Sequence, residues 1–154
     1  MLHRSLAVAS LVACLAVQAQ TNPAARPSRD VLSFGGTWNG SHLEQRSGCR
    51  TAQNNGFRGT YSEFRIYVDI PGRSISIDEA GITGLSCTWG GAYTDNTGGT
   101  GWSGNLSCSD GRTGTFRSQS FFSTTTFMAI RLAVQLNGSE TCAIDALLSG
   151  ARLP

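Results

Sequence analysis

Apolar residues recur at every second position through much of this 154-residue chain, in short runs broken by Gly, Pro, Asn and Asp. From Phe34 onward nothing carries a helical period, so the pattern predicts short, half-buried β-strands. Phe64, Ile66, Val68 and Ile70 share one face of such a strand, with Arg65, Tyr67 and Asp69 on the other. Pro71-Gly72 supplies a turn, and Ile75 and Ile77 follow it. Reflection about that turn sets Val68 against Ile75 and Ile66 against Ile77. The apolar faces then coincide, as a hairpin with one buried side requires.

Two further hairpins pass the same test. One centred between Thr97 and Gly98 sets Leu106 against Trp89, Trp102 against Tyr93 and Cys108 against Cys87, all on one face. Near the C-terminus, Met128, Ile130, Leu132, Val134 and Leu136 form the clearest alternating run. A three-residue loop at Asn137-Gly138-Ser139 sets Val134 against Cys142, Leu132 against Ile144 and Ile130 against Ala146. The two-residue turn that Asn-Gly ordinarily favours would send the two apolar faces to opposite sides.

A first strand is expected from Gly36 to Glu44, and Asp110-Gly111 turns the chain into a strand carrying Phe116. The sum is about eight consecutive antiparallel strands, or nine if Cys49 to Gln53 forms its own. The fold class expected is all-β, as an up-and-down barrel, which closes such a meander and removes its exposed edges. A β-sandwich is the alternative, because alternation alone does not show closure. Gly84, Gly90, Gly91 and Gly104 suit a tightly coiled sheet.

The N-terminus changes the compartment. Met1 to Arg4 is short and basic, Leu6 to Val17 is apolar, and Val17-Gln18-Ala19 offers small residues where a leader peptidase cuts. Residues 1–19 are read as a signal peptide, 20–33 (with Pro23 and Pro27) as a flexible linker, and 34–154 as one domain. The expected destination is secreted or periplasmic. The alternative is a lipid anchor on Cys14, within the lipoprotein-like Leu11-Val12-Ala13-Cys14. No other apolar run is long enough for a membrane span.

Four cysteines remain after the leader, and four allow three pairings. The hairpin register favours Cys87–Cys108, and elimination then leaves Cys49 with Cys142, a bond that would help seal the seam of a closed barrel. A purely structural role is expected, since no Cys-x-x-Cys pair is present. The net charge is +2 and all 12 basic residues are Arg. Without lysine, neither a Schiff base nor a phosphate-loop lysine can form. Near-neutral charge with no basic run argues against nucleic acid as a partner.

Gly36-Thr37-Trp38 opens the first strand and Arg152 follows the last. This resembles the calycin group, lipocalins and avidins included. The resemblance implies a barrel in which Trp38 packs beneath Arg152 as a plug at one end, a flat cation on an indole. It covers two short segments and implies no particular ligand.

Little points to catalysis. His42 is the one histidine beyond the leader and is expected at the surface or rim. No Gly-x-Ser-x-Gly elbow is present. Asp78-Glu79 adjoins an expected turn, where neighbouring side chains point to opposite sides. Asp95-Asn96 lacks the ligand spacing of a calcium loop. The expectation is a non-enzyme with no catalytic residues, no metal and no cofactor. The ligand contacts expected are Trp89, Tyr93 and Trp102, beside a Gly-rich loop from Thr94 to Gly101 at the barrel mouth. A small apolar or sugar-like molecule suits aromatic walls of that kind. The alternative from another class is an extracellular or periplasmic inhibitor that engages a hydrolase through its loops.

Overall fold

The computed structural model describes residues 29–96 and 99–154. The signal peptide, Cys14 and the first part of the linker lie outside the described residues. Eight strands follow one another in an antiparallel meander: β1 (Gly36–Ser47), β2 (Gly56–Asp69), β3 (Ser74–Gly81), β4 (Ser86–Asn96), β5 (Gly99–Cys108), β6 (Thr113–Ser123), β7 (Phe127–Asn137) and β8 (Ala143–Arg152). β1 pairs with both β2 and β8, so the sheet closes into a barrel. Closure leaves no unpaired sheet edge, which settles the choice between barrel and sandwich.

Register follows the apolar faces. Val68 pairs with Ile75 and Ile66 with Ile77 across β2 and β3. Across β4 and β5 the pairs are Cys87 with Cys108, Trp89 with Leu106 and Tyr93 with Trp102. The third hairpin departs from expectation by two residues: Val134 pairs with Ile144, Leu132 with Ala146 and Ile130 with Leu148. A shift of two preserves which face is buried. The loop is longer because its residues are held elsewhere. Glu140 accepts hydrogen bonds from Thr51 N and Asn54 Nδ2, Thr141 O accepts one from Arg50 N, and Cys142 is bonded to Cys49. Both disulfides, Cys49–Cys142 and Cys87–Cys108, are formed.

Glycine fits the barrel wall where backbones approach closely. Gly40 faces Gly150 across β1 and β8, and Gly91 faces Gly104 across β4 and β5. A Cβ on Gly40 would lie 1.8 Å from Ser149 O, and one on Gly91 2.0 Å from Ser103 O. Gly84 is not in a strand but in the β3–β4 turn, at a φ of +84° that disfavours side chains.

One end of the barrel is sealed. Helix α1 (Arg29–Phe34) lies across it with Val31 and Phe34 fully buried, and the Phe34 ring meets Phe121 edge-on at 4.6 Å. Residues 29–33 are therefore not a linker: two apolar side chains three apart supply a face that the barrel end can bury. The Arg152 guanidinium stands 4.4 Å from the centroid of the Trp38 ring. Trp38 Nε1 donates to Phe34 O at 2.9 Å, and Arg152 Nη2 donates to Ser33 O. Behind this plug Phe64, Ile75, Ile77, Trp102, Met128 and Ile130 fill the interior.

Other expectations are corrected in the same region. Ile70 falls past the end of β2, in the turn, and is exposed. Residues 49–53 form no strand; Ala52–Asn54 is a single 3-10 turn. The stretch from Thr94 to Gly101 is mostly strand, because β4 runs to Asn96 and β5 starts at Gly99.

Candidate functional site

The opposite end, bounded by the β1–β2, β3–β4, β5–β6 and β7–β8 connections, is open. A cavity of about 440 Å³ enters the barrel there. Its two sides differ in chemistry. β4 and β5 supply Trp89, Leu106 and the Cys87–Cys108 disulfide, with Leu85 just before β4. β1, β2 and β3 supply His42, Glu44, Arg46, Arg58, Thr60 and Glu79. Arg112, from the β5–β6 turn, joins the lining.

The charged side arises from strict alternation. In β1 the inward parity set by Trp38 continues through Gly40 to His42, Glu44 and Arg46; in β3, Ile75 and Ile77 share a parity with Glu79. His42 is buried, not a surface or rim residue. Its Nδ1 lies 2.8 Å from Glu79 Oε1 and its Nε2 3.2 Å from Glu44 Oε1. The second contact is within ion-pair range but too poorly aligned for a hydrogen bond, so Nε2 has none among the described residues. Glu79 also accepts Ser62 Oγ at 2.9 Å and Trp89 Nε1 at 3.0 Å. Glu44 accepts Arg46 Nε at 2.6 Å.

Burial disfavours every charge in this cluster, and mutual attraction outweighs it. For His42, burial is the largest single influence and acts downward. Contact with Glu44 and Glu79 overcomes it and raises the imidazole to about 9. Burial pushes Glu44 up, but His42 and Arg46 prevail and hold it at about 2. Glu79 is likewise lowered, burial again being overcome by His42, Trp89 and Ser62. At neutral pH the cluster is an imidazolium between two carboxylates.

Such a cluster can hold and orient polar groups. Ser62 gives its hydroxyl hydrogen to Glu79, and Cys87 is bonded to Cys108. Cys49, Glu140 and Cys142 also converge, but the two sulfurs are bonded to each other and Glu140 is held by Asn54 and Thr51.

Of the three aromatic residues expected at the mouth, Trp89 lines the cavity and the other two do not. Trp102 is buried in the core, with its Nε1 3.3 Å from Ile75 O and its ring 4.3 Å from that of Phe116. Tyr93 is buried toward the sealed end, where its N–H donates to Arg73 O. The open mouth is thus at the other end from the β4–β5 turn. His42, Glu44, Arg46, Glu79, Arg58 and Arg112 are site residues that the apolar pattern did not bring forward. The parity of β1 with Trp38, and of β3 with Ile77, is the signal that places four of them inside. Comparison with protein-family models, with curated proteins and with solved structures gives no match.

Proposed function

We propose that this chain is a non-catalytic binding protein that takes a small amphipathic molecule into the open end of its barrel. The reading is carried by the cavity itself, about 440 Å³ with an indole and a disulfide on one side and ionised groups on the other. Small-molecule sites ordinarily fall between ~300 and ~1,000 Å³, mostly apolar with a few placed polar groups. An apolar ligand face packs on Trp89 and Leu106, and polar atoms turn toward β1–β3. Kinship with the calycin group is part of this reading, supported by the stacking of Arg152 on Trp38. Two disulfides accord with export to an oxidising compartment, reached through the 1–19 leader, with lipidation at Cys14 as the anchored variant.

Native mass spectrometry of the oxidised protein from its producing cells tests this. A retained small molecule is expected, and its removal should change tryptophan emission through Trp89. A protein recovered empty, whose emission ignores small-molecule extracts of the same cells, would refute the reading. The rival reading, a hydrolase inhibitor, draws on one observation: the β1–β2 loop is braced by Cys49–Cys142 and Glu140, so the rim is held rigid. Recovery of a stoichiometric hydrolase complex, blocked by substitutions in that loop, would favour it.

A further inference from the structure

We propose that the ligand of the open end is an organic oxyanion, its charged group received by Arg58 and Arg112 and its apolar body lying against Trp89 and Leu106. This deepens the binding reading above and rests on it. The argument is an accounting of donors and acceptors around the cavity. Its two carboxylates are already occupied: Glu79 by His42, Ser62 and Trp89, and Glu44 by Arg46 and His42. Each guanidinium carries five N–H donors and no acceptor, and three of them line this cavity.

Those donors are far from exhausted. Arg58 reaches only Gln53 O at 3.2 Å and Asn54 Oδ1 at 3.4 Å, with no carboxylate partner among the described residues. Arg112 gives Nε to Asp110 Oδ2 at 2.7 Å, which neutralises its charge but leaves its terminal N–H groups available. With Arg112 balanced by Asp110 and His42 charged, His42, Arg46 and Arg58 stand against Glu44 and Glu79, an excess of one positive charge. What the cavity lacks is acceptors and negative charge. A planar fork of donors suits carboxylate and phosphate oxygens, whereas an alcohol would satisfy less of it and an ammonium would add to the excess.

The test uses four probes with one apolar body: octanoate, octyl phosphate, 1-octanol and octylammonium. Each is titrated into the full-length oxidised protein at neutral pH, read by calorimetry and tryptophan emission. One or both anions should bind at least about tenfold more tightly than octanol, a difference of ~1.4 kcal/mol, with octylammonium weakest. The stronger of the two anions identifies the oxyanion as carboxylate or phosphate. Arg58→Gln and Arg112→Gln should each shrink the anion preference, while Arg117→Gln, an exposed arginine on β6, should leave it intact. Octanol binding as tightly as both anions overturns the oxyanion assignment and leaves the cavity reading standing. Silence from all four probes overturns both.

Discussion

His42 Nδ1 and Glu79 Oε1 stand 2.8 Å apart, joining β1 to β3 across β2 inside the barrel. Ion pairs taken out of water repay their desolvation only when the remaining donors and acceptors are also satisfied. Here Ser62 and Trp89 complete Glu79.

Stability should therefore depend on pH with a defined sign. His42 is raised from 6.5 to about 9, so its contribution is complete below about pH 6.5 and lost as pH climbs through 9. Glu44 is lowered from 4.5 to about 2, and Glu79 is lowered too, so theirs is complete above about pH 4.5 and lost on acidification. Thermal melts should show a plateau between about pH 4.5 and 6.5. The alkaline limb should cost on the order of 3 kcal/mol, and His42→Gln should flatten it. A melting curve unchanged between pH 6 and 10 would contradict the assignment.

Breaking the pair from one side should be worse than its net value suggests. Glu79→Gln leaves the imidazolium with one carboxylate fewer, at a cost of about 3–5 kcal/mol. The His42 titration followed by NMR should move down from about 9. Denaturant melts measure the first effect, and an unmoved titration would deny the coupling.

The two disulfides should not weigh equally. Cys49–Cys142 spans 93 residues of sequence and Cys87–Cys108 spans 21. Loop-closure entropy then gives about 5 and about 3 kcal/mol respectively. Paired Cys→Ser variants compared by equilibrium unfolding should lose more for the longer loop.

Gly91→Ala should be disruptive although it adds a single methyl group. Its Cβ would meet Ser103 O at 2.0 Å, in backbone that cannot yield without parting β4 from β5. Gly90→Ala, whose Cβ meets nothing within 4 Å, is the control and should change the melting temperature little.

Alternation carried most of this architecture. The β2–β3 and β4–β5 registers are readable from apolar parity together with the position of a tight turn, because parity fixes the facing and the turn fixes the pairing. The β7–β8 register is not, since Glu140 and Cys142 set that loop through partners about ninety positions upstream. The site was readable in principle: His42, Glu44 and Arg46 keep the parity of Trp38. It does not stand out because polar residues on a strand are ordinarily solvent-facing, and only closure with an unfilled end makes an inward charge tolerable. Which end stays unfilled depends on α1, whose Val31 and Phe34 are fully buried.

That helix, together with Arg152 over Trp38, closes one end of the barrel, so that among the described residues the cavity opens at the other. Both covalent cross-links sit around that lip rather than at the base. On the binding reading proposed above, a guest would leave by the way it came, past Arg58 and Arg112.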